Sequence, residues 1–372
     1  MNTKEKLREK ALELGFAAAG FTGMGPMAVY SGEISTRPEM YSWVNTEYFS
    51  TLRGADPGGK YPWGRSLMVL LRNYYQHGFP EEMTGLYGRC YLVDERVVRG
   101  AEFARIKAFL DFARGEGIQV KFDGEVPARM AAALAGITTY GKNCFAFCKG
   151  AIKGSSWFES IPLVLDAELD PDEPSLEVDC PPNCDDRCVK ACPTGALYEP
   201  LKMNPLRCIA FHTYYGSDIT PQELREPMGT WVYGCDLCQE ACPRNRPWMK
   251  SDLPTDHDLE SRAADYRLPV LLHMDRVHYE EKVWPRFFYM SRSRVDRWQM
   301  NAARALGNLG DPAFLPDLER SLTDSPHPNV RGMSAWALGR IGGKKAISLL
   351  EKRLGVEEEA VAEEIRSALG EE

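Results

Sequence analysis

Eight cysteines with regular spacing are the residues of this sequence most suited to chemistry. They lie between residues 180 and 242 of a 372-residue chain that has eleven cysteines in all. Because the N-terminal residues do not resemble a secretory signal, disulfides are not the expected use of these thiols. Thiolates at such short spacings bind metal ions or iron–sulfur clusters. The eight are Cys180, Cys184, Cys188, Cys192, Cys208, Cys235, Cys238 and Cys242.

The cysteines divide into two quartets, and each quartet ends in Cys-x3-Cys-Pro. In two-cluster ferredoxins the cysteine before this proline binds the other cluster. Proline suits the position because it has no N–H to donate and turns the chain away. The pattern therefore predicts two [4Fe–4S] clusters. The first would be held by Cys180, Cys184, Cys188 and Cys242, and the second by Cys192, Cys208, Cys235 and Cys238.

Two zinc–thiolate sites are the alternative for eight cysteines. Zinc sites favour paired Cys-x2-Cys knuckles, and only one such pair, Cys235 with Cys238, is present. The repeated Cys-x3-Cys-Pro ending favours iron–sulfur clusters. In ferredoxins the first run has two-residue gaps, whereas every gap here has three, so Cys180 is the least constrained ligand. Cys144 and Cys148 form a further pair without partners nearby, and we interpret them as core or pocket thiols.

The elements that position the cysteines follow from hydrophobic periodicity. Helical spacing and short apolar runs alternate from the N-terminus to about residue 170, which predicts an α/β domain over residues 1–172. The stretch 66–75 contains a continuous apolar run, from Leu67 to Leu71, as in a sheet that is covered on both faces. The predicted helices are 3–14, 101–114 and 127–137, and the predicted strands are 16–21, 66–75, 118–122 and 160–169.

The C-terminal region repeats itself. "AARALGNLGDP" begins at Ala302 and "SAWALGRIGGK" at Ser334, a shift of 32 residues. Helix pairs of this length resemble HEAT-like repeats, in which small residues let helices approach and glycines end them. We therefore predict an α+β multidomain protein: the α/β domain, a ferredoxin-like domain held by metal more than by a core, a connection, and a HEAT-like tail. The three later parts are residues 173–250, 251–290 and 291–372.

Charge and hydropathy limit the partners. The net charge is −8, and no apolar run reaches the length of a membrane span. The N-terminus is a charged amphipathic segment, so we expect a cytoplasmic protein without membrane association. A nucleic-acid partner would need a local basic patch. Arg292, Arg294 and Arg297 form such a small group, and a solvated helix end is the alternative interpretation.

Several stretches, in this order along the chain, resemble the epoxyqueuosine reductase family. These enzymes depend on cobalamin and iron–sulfur clusters, act in tRNA modification for queuosine biosynthesis, and are related to reductive dehalogenases. The HEAT-like tail agrees with the same family. The matching stretches are "GRSLMVLLRNYY" (64–75), "AGITTYGKN" (135–143), "GSSWFESIPLVLD" (154–166) and the cysteine segments 188–216 and 233–245.

The resemblance implies cofactors, partners and residues. It implies that residues 1–172 bind cobalamin, that two [4Fe–4S] clusters pass single electrons to it, and that the tail helps to hold tRNA. An external one-electron donor such as ferredoxin or flavodoxin would supply the clusters. Cofactor contacts are expected from Lys142, Asn143, Ser156 and Trp157, with a loop cap as the alternative for the first two.

The proton donor is where the sequence departs from the family. Reduction of an epoxide releases water, so a group must donate a proton to the leaving oxygen. The family has an aspartate in a stretch such as Asp-x-x-Pro-x-x-Glu-Arg, whereas this chain has Phe122 at the ungapped position and Asp123 one residue later. We expect Asp123 in a mostly apolar pocket that raises its pKa, close to the cofactor. Glu125 and Tyr140 are the other candidates.

Three functions are therefore compatible with the sequence. The first is reduction of epoxyqueuosine in tRNA to queuosine. The second keeps both cofactors but acts on a different small molecule, as reductive dehalogenases do. The third is an electron-transfer or interaction protein without chemistry of its own.

Overall fold

The computed structural model describes residues 2–92, 100–216, 218–250 and 252–371. Its N-terminal region is built on a four-stranded sheet of order β1-β2-β6-β3. Every pairing in this sheet is antiparallel. A second, two-stranded sheet pairs β4 with β5, and a third pairs β7 with β8. The strands are β1 (Ala18–Thr22), β2 (Ser66–Asn73), β3 (Val120–Phe122), β4 (Thr138–Tyr140), β5 (Ala146–Cys148), β6 (Phe158–Leu165), β7 (Leu197–Glu199) and β8 (Lys202–Met203).

Strand β2 is buried on both faces, as its continuous apolar run predicts. Leu67 and Val69 point into one core, and Met68 and Leu70 point into the other. This alternation is what a strand between two packed layers must show. The helices that cover the sheet and extend the region are α1 (Thr3–Glu13), α2 (Ala28–Ser35), α3 (Pro38–Tyr41), α4 (Thr51–Gly54), α5 (Pro57–Lys60), α6 (Arg89–Leu92), α7 (Ala101–Gly115) and α8 (Ala128–Leu134).

The cysteine region contains only short elements. Its small core is formed by Ile209, Leu224, Met228 and Trp231. Such a core is too small to fix the region by itself, in agreement with the expectation that metal holds it. The helices are α9 (Arg187–Lys190), α10 (Ile209–Tyr214), α11 (Gln222–Arg225), α12 (Leu237–Glu240) and α13 (Arg246–Met249).

The C-terminal half forms a helical stack. Gly310 takes a left-handed conformation at the end of the first repeat helix, as predicted. A Cβ on Gly339 would lie 2.8 Å from that of Ala368, so the glycine permits the close approach of two helices. The connection contains α14 (His257–Arg262), α15 (Leu268–His273), α16 (Arg276–His278) and a π-helix (Tyr279–Val283). The tail contains α17 (Val295–Leu309), α18 (Leu315–Asp324), α19 (Pro328–Ile341), α20 (Gly343–Leu354) and α21 (Glu359–Leu369).

Both ends of the tail contact the cysteine region. In α17, Asn301 donates hydrogen bonds to the carbonyls of Thr213 and Val232 at 2.8 and 3.0 Å. At the other end, Arg225 of α11 binds both carboxylate oxygens of Glu364 in α21 at 2.6 Å. Arg225 is only 3% exposed, so this pair is a buried connection. In the part of the chain that the structure describes, each helix is too short or too polar to cross a membrane.

Candidate metal centres and the adjoining cavity

Three cysteines of the first quartet, together with Cys242, line a narrow cavity beside the loop that joins β4 to β5. In this loop the Lys142 amide donates to the Cys180 thiol over 3.4 Å. The Lys142 ammonium pairs with Asp186 at 2.6 Å, so one residue contacts both the thiol and its loop. N–H groups aimed at sulfur favour the thiolate form that metals require. The thiols of this cavity are Cys180, Cys184, Cys188 and Cys242.

Three cysteines of the second quartet, together with Cys192, line a larger cavity of about 490 Å³. Cys208 occupies the N-cap of α10, where the amides of Ala210 and Phe211 hydrogen-bond to its thiol. The Leu197 amide donates to the Cys192 thiol over 3.5 Å. The thiols of the quartets in this cavity are Cys192, Cys208, Cys235 and Cys238, and Cys90 and Cys144 also line it.

The two quartets thus exchange one cysteine each. Cys192 follows α9 and leaves the cavity that holds Cys188, while Cys242 follows α12 and leaves the cavity that holds Cys238. In each case the chain turns at the next residue, a proline. Apart from Cys90 and Cys144, which also line the large cavity, each cavity therefore holds four thiols, the number that binds one [4Fe–4S] cluster.

The thiols are at least partly shielded from water: Cys188 and Cys242 are buried, and the other six have intermediate exposure. Burial raises the pKa of Cys188 to about 11 and also raises the pKa of Cys235. Without metal both thiols keep their protons at neutral pH, so metal binding must displace them. The thiols surround a space and do not converge on a point. Across the described ranges, no three histidine, cysteine or carboxylate side chains are close enough to hold a single ion.

The large cavity separates the N-terminal sheet from the cysteine region and has largely aromatic walls. Its polar lining includes the Asn143 amide and the hydroxyls of Ser156 and Ser160. The Ser160 hydroxyl is buried and has no hydrogen-bond partner among the described residues. A buried hydroxyl on a cavity wall calls for a ligand or water to satisfy it. The aromatic lining includes Trp43, Tyr74, Tyr91, Phe158, Phe211 and Tyr214.

The four expected cofactor-binding residues have different positions. Asn143 and Ser156 line the large cavity, whereas Lys142 lines the narrow one. The Lys142 ammonium is paired with Asp186 in the first quartet's loop, so it is not directed at the large cavity. Trp157 is 1% exposed and packs behind the wall against Tyr75, with ring centroids 4.8 Å apart.

Asp123 does not have the apolar surroundings expected of a proton donor, and that expectation is wrong. It is 8% exposed, but its carboxylate is 2.6 Å from the Lys60 ammonium and accepts from the Tyr61 hydroxyl at 3.1 Å. Its polar neighbours are therefore a cation and a phenol, and not the apolar side chains that were expected. Asp123 is also missing from the described residues that line the large cavity.

Glu125 belongs to the same ion cluster. Its carboxylate is bound by Arg53 and lies 2.6 Å from the Lys60 ammonium. Hydrogen bonds from Arg53 and then from Lys60 lower the pKa of Glu125 to about 2. The Lys60 ammonium lies between the Asp123 and Glu125 carboxylates, 2.6 Å from each, and offsets their repulsion.

Tyr140, the third candidate donor, lies in the core of the N-terminal region. Its hydroxyl contacts the Met130 sulfur at 3.8 Å, and burial raises its pKa to about 12. Tyr140 does not occur among the described residues of the large cavity's wall, whereas Tyr74 does. Tyr74 immediately follows the apolar run of β2, which is the signal that could have identified it.

A buried polar network beside the second quartet was not predicted from the sequence. Gln239, next to Cys238, donates to the Tyr74 hydroxyl at 3.1 Å and to the Ser156 hydroxyl at 3.0 Å. Asn245 donates to the same Ser156 hydroxyl at 2.9 Å and is fully buried. The network joins the cysteine region to the end of β2 and the segment before β6. An asparagine two residues after Cys-Pro was its only sequence signal.

The basic group at the start of the tail divides between surface and interior. Arg292 is exposed and stacks on the Trp284 ring at 4.0 Å, while Arg297 is 1% exposed. Arg297 donates to the carbonyls of His212 and Gly216, at 3.2 and 2.7 Å. It is therefore part of the interface between tail and cysteine region, and a phosphate backbone cannot reach it.

Known proteins agree with this architecture. A family model described as a 4Fe-4S double cluster binding domain matches residues 180–245. Another, described as HEAT repeats, matches residues 291–370. The fold and site therefore define a two-cluster iron–sulfur protein with a HEAT-repeat tail.

The relatives are epoxyqueuosine reductases. The protein from Bacillus subtilis (strain 168) is 33% identical over 241 residues, 64% of this chain and 59% of the relative. The protein from Listeria monocytogenes serovar 1/2a is 31% identical over 283 residues, 74% of this chain and 71% of the relative. The chain belongs to the epoxyqueuosine reductase family. Its match to the Bacillus subtilis and Bacillus anthracis relatives spans less than two thirds of their length.

A solved structure is similar over nearly the whole chain. It is an epoxyqueuosine reductase with a tRNA-Tyr epoxyqueuosine-modified stem loop, 26% identical to this protein. The TM-score is 0.80, with 99% of this chain and 98% of the other covered.

Proposed function

We propose that this protein reduces epoxyqueuosine in tRNA to queuosine with the help of two [4Fe–4S] clusters and cobalamin. The observation that carries the proposal is the second cysteine quartet on the wall of the 490 Å³ cavity. A redox centre on that wall can pass electrons directly to whatever the cavity holds. Family membership and the related structure with a bound tRNA stem loop support the same activity.

The cysteines present fit two clusters. Each cavity supplies the four thiols of one proposed cluster together with main-chain N–H groups, such as that of Lys142 at Cys180, which stabilise cluster sulfur. We assign Cys180, Cys184, Cys188 and Cys242 to the first cluster, and Cys192, Cys208, Cys235 and Cys238 to the second. Zinc in place of the clusters would give two zinc ions and no acid-labile sulfide.

The lining of the large cavity supports the proposal that cobalamin binds there. Its aromatic walls, including Tyr74 and Phe158, can pack on a flat macrocycle and exclude water, and the free Ser160 hydroxyl can bind an amide side chain of the cofactor. When bound, cobalamin supplies a strongly reducing centre next to the substrate. We therefore propose residues 1–172 as a cobalamin-binding domain, with Asn143 and Ser156 among its contacts. Trp157 would support the wall from behind.

The partners follow from the same assignment. The clusters carry one electron at a time, so an external one-electron donor such as ferredoxin or flavodoxin is required. The tRNA partner needs an exposed cation near the tail, and Arg292 meets this requirement, since its guanidinium is exposed beside Trp284. We keep residues 173–250 as the cluster domain, 251–290 as the connection and 291–372 as the tail.

The decisive experiment is anaerobic reconstitution with iron, sulfide and cobalamin, followed by incubation with a reductant and tRNA that contains epoxyqueuosine. Nucleoside mass spectrometry should show loss of one oxygen and formation of queuosine. tRNA that already contains queuosine is the control and should not change. If the reconstituted protein binds cobalamin but leaves epoxyqueuosine intact, the substrate assignment is wrong.

One observation favours a second candidate, a corrinoid reductase with another small-molecule substrate. Asp123 and Glu125 are tied to Lys60 and are missing from the described wall of the large cavity. The acid that the family's substrate requires is therefore not supplied by these two residues. Reduction of bound cobalamin without turnover of epoxyqueuosine would support this candidate. Failure to bind any corrinoid would leave electron transfer or interaction as the function.

A further inference from the structure

The tail helix α17 carries a buried arginine without a carboxylate partner. Arg304 is 0% exposed, and its two terminal nitrogens donate to the carbonyls of Gly229 and Trp231. Its Nε has no hydrogen-bond partner, and no carboxylate of the described residues lies within ion-pair distance. The guanidinium therefore has polar contacts but no balancing negative charge.

A buried cation of this kind is costly unless a negative charge lies near it. The cost is evident in Arg304, because burial alone lowers its pKa to about 9. At neutral pH the side chain is nevertheless charged. By contrast Arg225, which is also buried, is balanced by both oxygens of Glu364.

The carbonyls that accept from Arg304 belong to the segment that leads to Cys235. Trp231 packs in one small core with Ile209 and Cys235. Ile209 begins α10 directly after Cys208, and Asn301 of α17 donates to the carbonyl of Thr213 in the same helix. The guanidinium is thus held behind the segments that carry two thiols of the second quartet.

We propose that Arg304 provides the counter-charge of the second cluster and raises its reduction potential. A cubane bound by four thiolates is an anion, and each electron that it accepts adds a negative charge. A fixed cation in a medium of low dielectric constant favours the reduced form, and net charge is one of the factors that set cluster potentials. The tail would therefore tune the metal centre, a role separate from any contact with tRNA. The inference rests on the proposed assignment of the second cluster.

The test is a redox titration, followed by paramagnetic resonance, of the full chain after anaerobic reconstitution. Arg304→Gln keeps a hydrogen-bond donor but removes the charge, while Arg304→Lys keeps the charge. In R304Q we expect the ratio of reduced to oxidised second cluster at a given potential to fall about tenfold. This corresponds to a reduction potential lower by about 59 mV for one electron. The first cluster should be unchanged, and R304K should remain close to wild type.

Arg225→Gln serves as the control, because it removes a buried arginine whose charge is already balanced. It should loosen the tail and speed the loss of iron, while the clusters that are still bound keep their wild-type potentials. The proposal is overturned if R304Q and R304K both titrate like wild type, if both lose the second cluster, or if both clusters shift together in R304Q. Failure of the wild-type chain to hold iron and sulfide would instead disprove the proposed cluster assignment.

Discussion

The side-chain amide of Asn143 donates a hydrogen bond to the main-chain oxygen of Cys238 over 3.2 Å, and Asn143 lines both cysteine cavities. Its own oxygen accepts from the Phe145 amide at 3.1 Å. Asn143→Ala leaves both main-chain groups unsatisfied in a buried site, so we expect a loss of about 1–3 kcal/mol. Urea unfolding of the reconstituted protein measures it. Asn143→Asp keeps the oxygen that accepts from the Phe145 amide, so it should lower the stability less than Asn143→Ala. Equal stability of N143A and wild type would contradict this role.

The exchange of cysteines between quartets predicts opposite effects for two similar substitutions. Cys192→Ala should remove the second cluster and keep the first, whereas Cys242→Ala should do the reverse. Iron analysis should fall from about eight to about four atoms in each variant, as two cubane clusters require. Paramagnetic resonance identifies the cluster that remains. Cys148→Ala, a buried thiol outside both quartets, should keep all the iron. Loss of the same cluster in C192A and C242A would disprove the exchange.

Glu125 should give a pH-dependent contribution to stability. Its pKa is about 2 in the folded protein against an ordinary value of 4.5, so its contribution is complete above the ordinary value. The contribution is lost as the pH falls towards the folded value, because the unfolded chain binds the proton first. Glu125→Gln should cost about 1.5–3 kcal/mol near neutral pH, the scale of hydrogen bonds to a charged group. Unfolding experiments from about pH 7 to about pH 4 should show this difference become smaller.

Glu33 provides the comparison for Glu125. It is an exposed carboxylate that pairs with Arg37 at 2.9 Å on the surface. Glu33→Gln should change stability by less than about 1 kcal/mol at every pH. If E33Q and E125Q behave alike, the buried ion cluster has no special contribution.

The ion pair between Asp123 and Lys60 predicts that the two residues act together. We expect Asp123→Asn and Lys60→Met to lower stability by similar amounts and to change turnover of epoxyqueuosine to a similar, small extent. A general acid would instead lose about 100-fold or more in D123N alone. Single-turnover assays on the cobalamin-loaded protein distinguish these results. A large loss in D123N with normal turnover in K60M would restore Asp123 as the proton donor.

Local patterns were sufficient for the main strands and helices, and the grouping of thiols that we propose rests on them as well. Strand β2 followed from an uninterrupted apolar run, and the repeat helices followed from glycines that recur after 32 residues. Gly310 and Gly339 then act as the pattern predicts, one at a helix end and one at a close approach. The quartets follow from short spacings and a proline, which constrain the chain over only a few residues. Signals of this kind involve only neighbouring residues, so they can be read from a single sequence.

The surroundings of Asp123 and Arg304 depend on residues far away in sequence. Lys60 is 63 positions from Asp123, and nothing near the aspartate indicates that a lysine will approach it. Gly54 lies against the main chain of Glu125, where a Cβ would be 2.0 Å from the carbonyl oxygen, so the two segments are pressed together. Arg304 sits in an amphipathic helix, where periodicity alone does not tell a solvated arginine from a buried one.

The bidentate pair of Arg225 and Glu364 also determines how the molecule can come apart. Linear repeat arrays fray from their free ends, since a terminal helix has only one neighbour. Here the last helix is tied back to the segment between Cys208 and Cys235, so both ends of the tail are held by the cysteine region. Opening at the C-terminus therefore uncovers the surroundings of the metal centre as well. A substitution that destabilises the last helix should therefore release iron before the helical content of the protein falls.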